Sequence, residues 1–258
     1  MAIISPKGLL SALRTLTLIS WPGKEGKDIA SALPWFPVIG LVLGTVLYAT
    51  ACAWRLLPIS PWPAAAALIL LVVEVWLTRG LHLDGLADWA DSLGGLLNRE
   101  TRLEIMKDSH VGTFGVLALI LILMAKWMAL ERMMSSGSMI WIIPLLVISR
   151  DMMVELIVTL PYARTGQGMG KAFVDGASQG HRFVSHGLGL LICIPFGPLG
   201  PASYFFSVLL TRAYGRRCQK GFGGITGDLL GAWNEMSEVV LFLLYALPGK
   251  DILSYTGW

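Results

Sequence analysis

The chain has 258 residues, 55% of them hydrophobic and only 14% charged, with a net charge of +3 and a mean hydropathy of +0.65. A water-soluble domain carries about 25% charged residues because its surface must be solvated, so this composition excludes an ordinary soluble globule and indicates a lipid-facing surface. The apolar residues fall in runs, such as Leu117 to Met124 and Ile142 to Ile148, without the alternation of a barrel strand; helices remain as the way to satisfy backbone polar groups in hydrocarbon.

In chain order, candidate spans run at about 35–54, 64–79, 113–132, 139–160, 183–196, 202–214 and 237–247. This gives an all-α, polytopic transmembrane bundle of about seven spans, within a range of six to eight, forming one domain over residues 1–258. The fifth and sixth spans are short and joined by Pro195, Gly197, Pro198, Gly200 and Pro201, so a shallow hairpin is expected there. The N-terminal segment lacks the pattern of a cleaved signal peptide. Cys52, Cys193 and Cys218 have no disulfide or zinc spacing.

Charge placement orients the bundle. With the N-terminus in the cytoplasm, inside segments hold fifteen of the twenty Lys and Arg residues and outside loops only Arg55, Arg132 and Lys250, while Lys126 and Arg150 fall within spans. That split follows the positive-inside rule.

Acidic residues gather in two motifs, both expected on the cytoplasmic face. In the first, LHLDGLADWAD at 81–91, helical geometry puts Asp84, Asp88 and Asp91 within an arc of roughly 60°. Like charges on one face repel, and a hard cation with oxygen ligands would neutralise them; Mg2+ suits sites that share the ion with substrate phosphates. The plainer alternative is a solvated acidic face paired with Arg99, Arg102 and Lys107. In the second, GGITGDLLGAWNEMSE at 223–238, a helix from Gly227 sets Asp228 and Glu235 about 20° apart, with Glu238 further round and Asn234 pointing elsewhere as a substrate contact. The glycines before Asp228 free backbone N–H groups at a helix start, which favours anions; a capped Gly-rich turn is the alternative.

Between them, MKDSHVGTFG at 106–115 offers Lys107 for a phosphate and Asp108 for substrate or the metal shell. PYARTGQGMGK at 161–171 offers Arg164 and Lys171 on a Gly-rich loop. His82, two residues before Asp84, is a candidate substrate contact as a proton carrier or phosphate ligand, with a satisfied interfacial histidine the favoured alternative, and Trp89 and Trp233 are candidates to stack on a flat ring. Arg150, Asp151, Glu155 and Glu74 lie at or inside spans, with either a structural or a substrate role open.

Taken together, LHLDGLADWAD at 81–91, MKDSHVGTFG at 106–115, PYAR at 161–164 and GGITGDLLGAWNEMSE at 223–238 resemble the cobalamin synthase family, the adenosylcobinamide-GDP ribazoletransferases, from about Leu33 to Leu247. Trp89 and His110 depart from the family pattern, where a smaller polar residue and an arginine are expected. The resemblance implies a magnesium-dependent, multi-pass enzyme of the bacterial inner membrane that joins adenosylcobinamide-GDP to α-ribazole or its 5′-phosphate and releases GMP. It places Asp84, Asp88 and Asp91 in one acidic motif and Asp228 and Glu235 in the other, as expected metal ligands. Asp84, Asp88, Lys107 and Asp228 are the expected catalytic groups. The expected partners are the two substrates and the lipid bilayer, with no nucleic acid; a homo-oligomer or an assembly with other late cobalamin-pathway enzymes is allowed for. Two other classes stay in view. A CDP-alcohol-type phosphotransferase would need an Ala-Arg pair where Asp88 stands. A cation or corrinoid transporter would place carboxylates near the bilayer midplane on several spans, whereas both motifs are expected at one face.

Overall fold

The computed structural model describes residues 5–23, 28–58, 60–95, 97–166 and 168–249. Eleven α-helices form a membrane bundle, and the only β pairing among the described residues is one parallel bridge, Tyr162 to Ile225. Lys24, Lys27 and Lys250, used above to orient the chain, lie outside the described residues.

Helix α1 (Pro6–Leu16) starts at Ser5, whose side chain accepts from the Lys7 N–H. A 3-10 stretch (Ile29–Trp35) then leads into α2 (Phe36–Arg55). The centre of the bundle is α7 (Ile142–Thr159), whose residues from Ile142 to Ile157 are all buried. It meets α2 at glycines: a Cβ on Gly40 would lie 2.3 Å from the Leu146 carbonyl oxygen, and one on Gly44 would lie 2.7 Å from Ile143 Cα. Small residues let two backbones approach where lipid gives no hydrophobic push.

Helix α3 (Pro63–Thr78) ends in two left-handed residues, Arg79 (φ 57°) and Gly80 (φ 62°), and the chain bends by 90° into α4 (Leu81–Asp91). Helix α4, which carries the first acidic motif, therefore runs across the direction of α3. Helix α5 (Arg99–Ile105) is short and exposed. Helix α6 (Thr113–Ser136) turns Phe114, Leu117, Leu121, Met124 and Met128 outward, a lipid-facing stripe. Beyond α7 come α8 (Met169–Gly176), α9 (Gln179–Cys193), α10 (Leu199–Phe222) and α11 (Gly227–Ala246).

The expected all-α membrane bundle is thus present. Among the described residues three stretches are long and apolar enough to cross a membrane, Ile29–Arg55, Thr113–Ser136 and Gly227–Ala246, or four if the bent pair α3–α4 is one span. Two elements differ from the sequence reading. Helix α10 runs to Phe222, well past the expected end near 214, because its basic C-terminal half continues the helix at the bundle's edge. Helix α11 is continuous from Gly227, ten residues before the expected span start. Its polar residues Asn234, Glu235 and Glu238 are buried among partners rather than solvated.

Candidate active site

The site forms where α4 crosses the N-terminal turn of α11. Gly85 sits against the backbone of Asp228: a Cβ there would lie 2.8 Å from Asp228 Cα and from its carbonyl oxygen. One turn on, Gly231 faces the backbone of His82 at 3.1 Å in the same sense. This contact brings Asp84 and Asp88 to Asp228. Gly85→Val would wedge the helices apart. It is expected to cost about 1–3 kcal/mol by overpacking, and to lower turnover by more than the drop in folded protein, as a thermal melt and an activity assay on the same sample would report.

A backbone clamp positions the start of α11. Helix α10 ends at Gly223 in the left-handed region (φ 75°), and Gly224 (φ 151°) runs so close to the 161–164 loop that a Cβ would lie 2.1 Å from the Pro161 carbonyl oxygen. Ile225 N–H donates to Pro161 O and Ala163 N–H to Ile225 O, both at 2.9 Å. Arg99, expected as a partner of the acidic face, instead donates to the carbonyls of Phe222 (2.6 Å) and Ala163 (3.1 Å), pinning α5, α10 and this loop together. The Thr226 side chain then caps α11 by accepting from Leu229 N–H at 3.2 Å.

The clamp sets Arg164 beside Asp228. Its guanidinium donates to Asp228 Oδ2 at 2.5 Å and to the Met106 carbonyl at 2.9 Å. An open pocket of about 430 Å³ is lined by Lys107, Tyr162, Arg164, Gly168, Gly170 and Asp228 among others. Three sequence-expected residues, Lys107, Arg164 and Asp228, therefore share one mouth. A second cavity of about 200 Å³ opens beside it, with Asp84 and Asp228 on its rim and His82 in its wall.

Carboxylates crowd one another in the vestibule. Burial, then the charges of Asp228 and Asp84, push the Asp88 carboxyl up to about 7, opposed by Arg164. Arg164 and Lys107 offset part of the charge of the three carboxylates, whose hard oxygen donors fit a divalent cation such as Mg2+. Among the described residues no three His, Cys, Asp or Glu side chains already stand together as a metal cage. Mg2+ commonly takes one or two carboxylates and completes its shell with substrate phosphates, so the residues fit that arrangement.

Other expected site residues are engaged elsewhere. Asp91 accepts from the backbone N–H groups of Gly112 (2.7 Å) and Gly115 (2.8 Å), capping the start of α6. Asp108 is exposed and holds His110 Nδ1 at 2.6 Å; hydrogen bonds from the His110 ring and backbone keep its carboxyl below the usual range. Lys171 pairs with Asp175 along exposed α8. Trp233 is packed against the Tyr214 ring, with centroids 4.7 Å apart, and donates to Thr211 at 3.0 Å.

The second acidic motif is split by the helix it sits on. At 1.5 Å per residue, Glu235 and Glu238 lie two and nearly three turns below Asp228, within the bundle. There Lys126 of α6 meets Glu74 of α3 (3.0 Å), Glu235 (2.8 Å) and Glu238 (2.5 Å), and Arg150 of α7 meets Glu238. Asn234 donates to Glu238 at 2.9 Å. The expectation that both acidic motifs keep to one face is corrected: a midspan cation drew the glutamates inward. Carboxylates near the midplane on several spans had been the sign of a transporter; buried carboxylates do lie on α3, α7 and α11, but they are paired with cations or hydrogen-bond donors within packed protein. A second buried network joins α7 to α9 and α10: Asp151 accepts from His186 (3.0 Å), Ser185 (2.5 Å) and Tyr204, and Glu155 from His186 (3.0 Å) and Arg212 (2.9 Å). The sequence left a structural role open for Asp151 and Glu155, but did not indicate their partners on α9 and α10.

A family model described as cobalamin-5-phosphate synthase matches residues 8–246. Curated relatives carry the name adenosylcobinamide-GDP ribazoletransferase. That of Chlorobium phaeovibrioides is 42% identical over 92% of this chain and 95% of its own. That of Prosthecochloris aestuarii is 41% identical over 91% and 95%, and that of Syntrophobacter fumaroxidans 36% identical over 90% and 94%. No solved structure matches.

Proposed function

The chain belongs to the cobalamin-5-phosphate synthase family, and from that premise we propose that its vestibule joins adenosylcobinamide-GDP to α-ribazole, or to α-ribazole 5′-phosphate, with release of GMP. A ribose hydroxyl attacks the phosphorus bonded to the cobinamide arm, the P–O bond to GMP breaks, and the hydroxyl proton is lost. The observation that carries this reading is the pocket that Asp228 shares with Arg164 and Lys107, with Asp84 and Asp88 near enough to Asp228 for their charges to act on one another.

Phosphoryl transfer depends on alignment and charge neutralisation more than on covalent help. Mg2+ bound between these carboxylates and the diphosphate would neutralise charge developing on the transferring phosphoryl group. Asp84, Asp88 and Asp228 would supply its protein oxygens. Lys107 and Arg164 hold the diphosphate, and Arg164, tied to the Met106 carbonyl, keeps Asp228 in place. Asp91 supports the site through the start of α6, and Glu235 through Lys126. Arg79, Arg99, Arg102, Lys107, Arg164, Arg216, Arg217 and Lys220 cluster at the vestibule end of the bundle while Arg55 and Arg132 sit at the other; that asymmetry supports a cytoplasmic site in the bacterial inner membrane.

Protons compete for the same oxygens. With the Asp88 carboxyl at about 7, Mg2+ must displace a proton below that pH, so its apparent affinity is expected to fall about tenfold per pH unit below 7 and to level off above. The folded value lies above the unfolded one, so metal-free protein loses stability as pH rises through 4 to 7. Mg2+ should therefore raise the Tm more at pH 8 than at pH 6, and an equal rise at both would contradict a role for Asp88. The function itself is tested by incubating purified protein with adenosylcobinamide-GDP and α-ribazole, with and without Mg2+. GMP appearing only with the metal supports the reading; no GMP under any metal condition removes it.

A further inference from the structure

His82 lies in the wall of the cavity behind Asp84 and Asp228, 3% exposed, and neither ring nitrogen has a partner. A buried imidazole left this way is a donor and an acceptor waiting for a group the protein does not provide. The walls are mainly apolar, with Leu16, Phe36, Met153, Ile157, Phe173 and Leu230, and Thr15, Asp84 and Asp228 are their other polar side chains. The cavity, about 200 Å³, is large enough for a fused two-ring base and far too small for a corrin.

We propose that this cavity holds the aromatic base of the ribonucleoside acceptor, with His82 hydrogen-bonded to the base's free imidazole-type nitrogen. The proposal rests on the ribazole-transfer reading and assigns the base a place within that site. Apolar walls with a single imidazole match a benzimidazole ring, which has apolar edges and one exposed acceptor nitrogen. The position also suits the chemistry. A base seated against His82 leaves its ribose at the rim, where Asp84 and Asp228 stand and a ribose hydroxyl must meet the diphosphate. His82 is then the specificity-determining contact: a site built to hydrogen-bond a ring nitrogen rejects an analogue that lacks it.

The test compares α-ribazole with the corresponding indole riboside, whose base has the same shape without the free nitrogen. In the unaltered protein the indole riboside should show a KM about ten- to a hundredfold higher, with the KM for adenosylcobinamide-GDP unchanged. His82→Phe should raise the KM for α-ribazole to the indole value and leave that for the indole riboside where it was, while His82→Gln, keeping a hydrogen-bonding group, should recover part of the loss. Equal KM values for the two ribosides in the unaltered protein would overturn the proposal, as would a His82→Phe penalty of the same size for both. Equilibrium dialysis with labelled benzimidazole needs no turnover. Retention by the unaltered protein and loss in Leu230→Trp, which fills the cavity, supports the proposal even if no GMP is ever released; no retention overturns it.

Discussion

Asp228→Asn is expected to lower GMP release by about a hundred- to a thousandfold, the loss seen when one preorganised electrostatic contact to a reacting group is removed. The side chain keeps its shape, and the cap on α11 comes from Thr226, so the helix should still form. Asp84→Asn should act alike. The double variant should fall little further than either single one, since groups serving one centre are not additive. Asp108→Asn is the contrast: its carboxylate is exposed and bound to His110, so turnover should stay within about tenfold of the starting value. Initial-rate assays at saturating substrates would check all four, and a near-normal Asp228→Asn enzyme would remove Asp228 from the chemistry.

The second large effect concerns folding. Lys126 is 2% exposed and faces Glu74, Glu235 and Glu238, with Arg150 the only other cation of the cluster. Removing one member of a buried charge set leaves the others unpaired, and typically costs about 3–5 kcal/mol. Lys126→Met should therefore unfold in detergent far below the temperature of the original, or fail to accumulate in the membrane. Pairing it with Glu74→Gln and Glu235→Gln should restore much of the loss, because fewer anions are left bare. Melting temperatures of the single and combined variants would check this; a fully stable Lys126→Met would show that the cluster does not hold the bundle together.

These two expectations also mark where the sequence could be read and where it could not. The bundle itself was legible because lipid replaces water along α2 and α6 and leaves long apolar runs. Asp84, Asp88, Lys107, Arg164 and Asp228 could be singled out because local motifs carry them; of these, Lys107, Arg164 and Asp228 line one pocket, and Asp84 and Asp88 lie near enough to Asp228 to feel its charge. What failed was depth. Helical spacing put Asp228 and Glu235 on one side of α11, yet spacing says nothing of the distance along the axis that separates a residue at the face from one inside. The missing signal was Lys126, a lone cation amid apolar residues that had to find carboxylates on other spans. Asp91 was misjudged for a similar reason. Its register with Asp84 and Asp88 is real, but the helix start at Gly112 and Gly115, more than twenty residues on, claims both its oxygens. His82 was visible in its motif but its cavity was not, because the walls come from α1, α2, α4, α7, α8 and α11.

Mn2+, which can replace Mg2+ at oxygen sites and is visible by electron paramagnetic resonance, offers the most direct measurement of the central claim. Titrated into purified protein with adenosylcobinamide-GDP but no acceptor, bound Mn2+ should appear in the original chain and be largely lost in the Asp84→Asn and Asp228→Asn variants, while Asp108→Asn retains it. Undiminished Mn2+ binding in both Asp84→Asn and Asp228→Asn would contradict a metal-dependent transfer centred between α4 and α11.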